Sequence, residues 1–141
     1  MPNISSGSAE TPSLLVRQLP GRYAVCRLPP GTVVAVPGRG PLHCVTATDE
    51  ETSVICTEAS APEAAQVTNG WRALRVLGTF GFEVVGVMSR LSGALAAGGV
   101  PLLACSTFDT DYLLVQASDL GRAAVALRGA GVAVELLPEE D

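Results

Sequence analysis

PLLACSTFDTDYLLVQ, residues 101–116, is the stretch of the sequence that decides the fold. Two apolar runs, 101–107 and 112–116, flank the turn Phe108-Asp109-Thr110. Apolar runs joined by a short polar turn are typical of two antiparallel strands. The stretch therefore predicts a β-hairpin with its turn at residues 108–110.

A helix is predicted on each side of this hairpin. From Glu83 to Ala97 the apolar residues recur at helical spacing, and Gly98-Gly99 is a typical helix stop. A second helix runs from Ser118, a good N-cap, to Ala130. Strands at 71–77 and 132–137 complete the order strand, helix, strand, strand, helix, strand. This is the order of a ferredoxin-like unit, an antiparallel four-stranded sheet with two helices on one face.

The first half of the chain contains a weaker copy of this pattern. When the sequence is aligned with itself at an offset of 60 residues, residues 46–51 align with residues 106–111 without a gap. Leu14 lies over Leu74 and Val16 over Val76 at the same offset. Similarity at a fixed offset indicates a repeated structural unit. The fold class is therefore predicted as α+β, with two tandem ferredoxin-like βαββαβ units.

The first unit is predicted to be degenerate. Its segments are a strand at 13–19, a strand-like run at 23–28, a hairpin from 42–48 and 53–58, and a short helix at 62–68. Three prolines occupy the place of its long helix and interrupt it: Pro29, Pro30 and Pro37. The predicted boundaries are a disordered leader at 1–12, the degenerate unit at 13–69 and the intact unit at 70–138. We expect the second unit to carry the functional site.

Composition and charge exclude several classes of protein. The chain has 141 residues, of which 48% are hydrophobic, so it has ample material for a packed core. It carries 9 basic and 14 acidic residues and no cluster of arginines, so a nucleic-acid partner is not expected. The longest apolar stretch, near 93–105, is broken by glycines and a proline and is too short to span a bilayer. We predict a cytoplasmic protein without a membrane partner.

No metal site, cofactor or catalytic group is predicted. The four cysteines, at 26, 44, 56 and 105, have no CxxC spacing and are expected to be reduced and mostly buried. His43 is the only histidine and has no partner visible in the sequence. Asp109 and Asp111 lie on a turn, where aspartate is favoured for backbone hydrogen bonding, although this explanation is weaker for Asp111 at the start of a strand.

Three segments resemble tandem ACT-domain proteins, which are small bacterial proteins related to the regulatory domains of aspartate kinase and to the CASTOR arginine sensors. The segments are LACSTFDTDYLLV (103–115), LPGRYAVCRL (19–28) and GWRALRV (70–76). The resemblance implies a pair of βαββαβ units and amino-acid binding at an interface between two ACT units. It also implies that the protein has no catalytic activity of its own.

The resemblance also implies the ligand-binding residues. Carried over by position, they are Gly81, Phe82, Pro101, Leu102, Thr107, Phe108 and Asp111. N–H groups at the start of the first helix, near Gly81, suit a carboxylate, and strand-edge carbonyls and Asp111 suit an ammonium group. Val84 stands where the arginine sensors have an acidic residue, so arginine is not the implied ligand.

The leading interpretation is therefore a non-enzymatic regulatory module that binds an amino acid, forms a homodimer and acts on a protein partner that the sequence does not name. The alternative is a structural or protein-interaction subunit with a collapsed pocket. That alternative predicts no stabilisation by ligand. An enzymatic function comes third, because it needs a catalytic constellation that the sequence does not contain.

Overall fold

A computed structural model describes residues 13–36, 40–64, 66–78 and 85–138. Within these ranges the chain forms eight strands in one mixed sheet and two α-helices. None of the described helices has the length and apolar character needed to cross a membrane. The elements are β1 (Leu14–Gln18), β2 (Tyr23–Leu28), β3 (Cys44–Ala47), β4 (Thr52–Thr57), β5 (Gln66–Gly78), α1 (Val87–Ala97), β6 (Leu103–Ser106), β7 (Asp111–Gln116), α2 (Leu120–Gly129) and β8 (Ala133–Glu135).

The long strand β5 joins the two halves of the sheet. Its N-terminal part pairs with β2, and its C-terminal part pairs with β1 and β7. The strand order is β3-β4-β2-β5-β1-β8, and the hairpin of β6 and β7 attaches to β5 through β7. Every pair is antiparallel except β1 with β8, which is parallel. The prediction of purely antiparallel sheets is therefore wrong at this one pair.

Strand β1 lies in the sheet of the C-terminal half, between β5 and β8. Val16 stands directly opposite Val76 in the β1–β5 pair and opposite Val134 in the β1–β8 pair. The 60-residue offset treated Val16 and Val76 as equivalent positions of two units, whereas they are neighbours in one sheet. Leu14 and Val16 form the apolar face of β1, and the C-terminal half of the chain buries them.

Both helices pack on one face of this half of the sheet. Val87, Leu91 and Leu95 are buried along α1 at helical spacing, and Ala123 and Leu127 are buried along α2. They meet the apolar side chains that β1, β5 and β7 turn towards them: Leu14, Val16, Leu74, Val76, Leu113 and Val115. The predicted start of the first helix at Glu83 lies outside the described residues. Its predicted end is confirmed, because Gly98 caps α1 and Gly99 adopts a φ of 73°.

The other face of the β5–β7 sheet packs against the N-terminal half. Tyr23 and Leu42 are buried there with Ala73 and Leu114. The strands β3 and β6 are not hydrogen-bonded to each other, yet Cys44 and Cys105 meet across this layer. The single sheet is thus folded so that its two halves cover each other.

The predicted short helix at 62–68 is wrong. A 3-10 turn occupies Glu58–Ser60, and β5 begins at Gln66. Val67 pairs with Cys26 of β2, so sheet pairing takes up residues whose β-branched side chains suit a strand. Between β2 and β3 the described residues 29–36 and 40–43 form no helix, as the prolines predict.

Replacing Tyr23 with phenylalanine is expected to change how stability depends on alkaline pH. Tyr23 is fully buried, and its hydroxyl donates to the carbonyl of Pro20 at 3.2 Å. Burial, assisted by Tyr112, raises the pKa of Tyr23 to about 12 from 10.0. Since this folded-state pKa is raised, the contribution is fully present below pH 10 and is lost as pH rises towards 12. By pH 11 the wild type should lose roughly 1.4 kcal/mol that the variant does not lose.

Urea unfolding at pH 8 and pH 11 tests this expectation. At pH 8 the variant should be less stable by about 1 kcal/mol, because it lacks the hydrogen bond. At pH 11 this difference should vanish or reverse. A parallel loss of stability in both proteins would contradict the assignment to Tyr23.

Candidate functional site

The turn between β6 and β7 is closed by hydrogen bonds of Thr107. Its N–H donates to the carbonyl of Thr110 at 2.8 Å, and its Oγ1 accepts from the Thr110 N–H at 3.1 Å. Between these residues, Phe108 is 81% exposed. The predicted hairpin is therefore present, and its tip carries an aromatic ring at the surface.

Asp111 begins β7, where it is half-buried opposite Ser106 of β6 and Val76 of β5. The Ser106 hydroxyl donates to Asp111 Oδ1 at 2.6 Å. Oδ2 has no hydrogen-bond partner among the described residues. One oxygen is thus held in place and the other can accept from a ligand, which is the arrangement a carboxylate needs to bind an ammonium group.

The structure separates the other predicted site residues from this group. Pro101 and Leu102 precede β6, at the end of the strand opposite the hairpin, so roughly 16 Å of extended chain divides Leu102 from Thr107. Pro101 is exposed, and Leu102 packs against the core below α1. Gly81 and Phe82 lie outside the described residues. A single chain therefore groups Thr107, Phe108 and Asp111 but not Pro101 and Leu102.

Strand β6 forms an open edge beside this group. In the described part of the chain it pairs with β7 alone, and Ala104 and Ser106 are exposed. An open edge carries N–H and C=O groups that another strand can pair with.

Two of the four thiols contact each other behind this edge. Cys44 and Cys105 are free thiols, half-buried, with their sulfur atoms 3.7 Å apart. Their hydrogen bond lowers the pKa of Cys44 to about 7 and raises the pKa of Cys105. Cys26 and Cys56 are free and buried. Cys44 is thus the thiol that ionises most readily of these two.

Two cavities in the described residues contain none of the predicted site residues. One, of about 310 Å³, is lined by Gln18, Arg72, Ala117, Leu120, Gly121, Leu136, Leu137 and Pro138. The other, of about 360 Å³, is lined by Arg27, Leu28, Pro29, Pro30, Glu50 and Gln66. The sequence carries a signal for the first cavity. Strand alternation places Gln18 in phase with Val16, and Arg72 in phase with Leu74, so both polar residues belong to the face that the core covers.

Comparison with solved structures gives a relative over nearly the whole chain. Protein Atu0741 from Agobacterium tumefaciens is 30% identical, with a TM-score of 0.80 over 93% of this chain and 98% of that protein. The regulatory subunit of aspartate kinase from Thermus thermophilus, in its ligand-free form, has a TM-score of 0.57 at 11% identity, over 85% of this chain and 97% of the subunit.

The same fold recurs within larger enzymes. E. coli aspartokinase III, in complex with aspartate and ADP, has a TM-score of 0.55 at 12% identity over 85% of this chain, and the match spans 34% of that enzyme. At these identities the two aspartate kinase matches show a shared fold and nothing more. No protein in the curated set matches this sequence.

The family is shown by the sequence from β5 to α2. Residues 66–129 match the sequence model of the ACT domain, and this span contains the hairpin and both helices. The observed α+β architecture, with the helices on one face of the sheet, agrees with that match. The chain belongs to the ACT-domain family.

Proposed function

We propose that this protein is a non-enzymatic regulatory module that binds an amino acid at an interface between ACT units, in the cytoplasm and as a homodimer. The observation that carries the proposal is Asp111, a carboxylate held by Ser106 through one oxygen beside an open sheet edge. Membership of the ACT-domain family and a fold shared with an aspartate kinase regulatory subunit support it. The module would act on a downstream protein partner.

A second copy of the chain would complete the site. If two β6 edges pair antiparallel about a two-fold axis, the start of one strand lies beside the end of the other. Pro101 and Leu102 of one chain would then stand close to Thr107 and Asp111 of its partner. This arrangement accounts for predicted site residues that one chain keeps apart.

We further propose that the chain is built from two units, 13–69 and 70–138, and that the second binds the ligand. The two hairpins support this, because Thr48 closes its turn with Glu51 at 2.9 Å as Thr107 does with Thr110. The corresponding hydrogen bonds lie 59 residues apart, one fewer than the sequence offset. The β2–β4 and β5–β7 pairs also correspond, with Thr57 in the position of Gln116 and Tyr23 in the position of Trp71, although this second offset is 48 residues.

The first unit lacks the ligand-binding groups under this superposition. Ala47 stands opposite Thr52 in β3 and β4, where β6 and β7 have Ser106 opposite Asp111. The first hairpin therefore has neither the carboxylate nor the hydroxyl that holds it.

Asp111→Asn is expected to abolish stabilisation by the amino-acid ligand and to leave the fold intact. The asparagine Oδ1 can still accept from Ser106, whereas the negative charge for an ammonium group is gone. Thermal unfolding is measured against each of the twenty amino acids at millimolar concentration. A ligand at 100 times its Kd stabilises the wild type by about 2.7 kcal/mol, which raises the midpoint by several degrees.

Asp109→Asn is the matched control, because Asp109 is an exposed acid of the same turn and should not alter the response. Sedimentation equilibrium measures the dimer. A response that survives Asp111→Asn would show that the site is elsewhere. No response to any amino acid would favour the structural or interaction subunit.

A further inference from the structure

Two polar side chains occupy the face of the sheet that the helices cover. Gln18 follows Leu14 and Val16 on the inner face of β1 and is 6% exposed. Arg72 precedes Leu74 and Val76 on the inner face of β5 and is half-buried. Polar groups in such positions are costly unless they are compensated, so both side chains require an explanation.

Protein contacts satisfy these two side chains only in part. Arg72 donates from one terminal nitrogen to the carbonyl of Gly21 at 3.2 Å, and its buried Nε–H has no acceptor among the described residues. Gln18 Oε1 accepts from the Leu137 N–H at 2.9 Å, and its amide nitrogen donates to no described residue. Both side chains line the 310 Å³ cavity, where the second terminal nitrogen of Arg72 and the Gln18 amide nitrogen can donate to an acceptor.

Among the described residues around the cavity, one cation has no counter-charge. Glu135 of β8 is paired with Arg17 at 2.7 Å, and Asp119 before α2 is paired with Arg122 at 2.6 Å. Arg72 forms no ion pair with any described residue. These described acids are thus paired with arginines other than Arg72, and the guanidinium of Arg72 favours a further anion.

The rest of the lining limits the kind of anion. Ala117 opens the 3-10 turn Ala117–Asp119, and Leu120 and Gly121 begin α2 directly after it. The Leu120 N–H already donates to the Ala117 carbonyl, so the N–H groups without helical acceptors are those at the start of the turn, and such groups favour a carboxylate. The remaining wall is apolar and is formed by Leu136, Leu137 and Pro138 with the Leu120 side chain. A volume of 310 Å³ is at the small end of ligand sites.

We propose that this cavity binds a small aliphatic carboxylate. The carboxylate lies against Arg72 and the Gln18 amide, and the hydrocarbon chain lies against the leucines. The cavity is a separate site from the one proposed at Asp111, because the length of β7, roughly 20 Å, divides them. Carboxylate binding in this cavity would not require an amino acid at Asp111.

Isothermal titration calorimetry of the full chain with 4-methylpentanoate tests the proposal. This probe has no ammonium group, so its binding does not require an interaction with Asp111. It should bind at least about 10-fold more tightly than its uncharged amide, and also more tightly than acetate, which lacks the chain. Arg72→Gln should weaken binding at least about 10-fold, whereas Arg75→Gln, an exposed position on the other face of β5, should not change it.

A second variant tests the cavity without touching Arg72. A side-chain carbon added at Gly121 meets no atom within 4 Å, so Gly121→Leu can take up space in the cavity and also favours the helix. It should keep the wild-type fold and weaken binding at least about 10-fold. Gly129→Leu, at the other end of α2 and equally unobstructed, is the control and should bind as the wild type does.

Each outcome decides the inference. Equal binding of the acid and its amide, or wild-type binding by Gly121→Leu, would overturn it. Tighter binding of inorganic phosphate than of 4-methylpentanoate would overturn the assigned ligand class. Binding that appears only when Glu139 and Glu140 are changed to glutamine would overturn the assigned ligand, because the cavity would then be occupied by these residues of the chain. Binding retained in Asp111→Asn supports a separate site, and this holds even if the amino-acid panel gives no response.

Discussion

Leu91→Ala is expected to lower the free energy of unfolding by about 3–5 kcal/mol. Leu91 is fully buried at the centre of α1, between the helix and the sheet formed by β1, β5 and β7. Removing its side chain loses the burial of the methyl groups and leaves a cavity that the surrounding strands cannot close, because sheet pairing holds them on both sides. For a chain of this size the midpoint should fall by roughly 10–20 °C.

Urea unfolding followed by far-UV circular dichroism measures this effect. Leu91→Met keeps most of the volume and should cost less than about 1.5 kcal/mol. Val125→Ala removes an aliphatic group that is 71% exposed on α2, and it should change stability by no more than about 0.5 kcal/mol. Equal losses for Leu91→Ala and Val125→Ala would mean that this core does not hold the fold together.

The elements that depend on neighbouring residues could be predicted from the sequence. The hairpin of β6 and β7 is present because two apolar runs meet at a turn closed by Thr107, and all of this lies within sixteen residues. The C-terminal end of α1 is where Gly98-Gly99 predicts it, because a glycine at positive φ ends a helix wherever the helix lies in the fold.

The elements that depend on distant partners could not be predicted. The sequence of residues 62–68 by itself favours a helix, but the residues from Gln66 onward pair with β2 in the sheet. The partners of β1 are β5 and β8, whose paired residues lie 56 to 64 and 118 positions further along the chain, and the one parallel pair is β1 with β8. A constant offset between two segments shows that their sequences are similar. Similar strands can occupy the same position in two repeated units, or they can lie side by side in one sheet, as the strands of Val16 and Val76 do.

The candidate sites show the same difference between neighbouring and distant residues. The group at Thr107, Phe108 and Asp111 is local to one hairpin, so the sequence could place it, and its hydroxyl partner Ser106 is its neighbour across the strands. The cavity at Arg72 is assembled from β1, β5, α2 and the segment after β8. The only indication of this cavity in the sequence is that Gln18 and Arg72 alternate in step with the buried residues of their strands. This alternation indicates a shared cavity only once β1 and β5 are known to be neighbours in the sheet.

Gly98→Ala is expected to destabilise the protein by about 1–3 kcal/mol, although alanine is the better helix former. A side-chain carbon at Gly98 would lie 2.8 Å from the Ala126 Cβ of α2. Because Ala126 has no torsion that can move this atom away, the helices themselves must separate and disturb the core between them. The backbone at Gly98, with a φ of −85°, is open to any residue, so contact between the helices is the reason for glycine here.

The double variant Gly98→Ala with Ala126→Gly separates this contact from effects on helix formation. Ala126→Gly alone should cost about 1 kcal/mol, because glycine weakens α2. In the double variant the new methyl group occupies the space that Ala126 leaves, so its stability should equal that of Ala126→Gly, with a coupling energy of about 1–3 kcal/mol in the thermodynamic cycle. Additive losses would mean that the helices do not meet at Gly98. A coupling of the expected size would show that one hydrogen atom at the end of α1 sets the spacing of the two helices above the core.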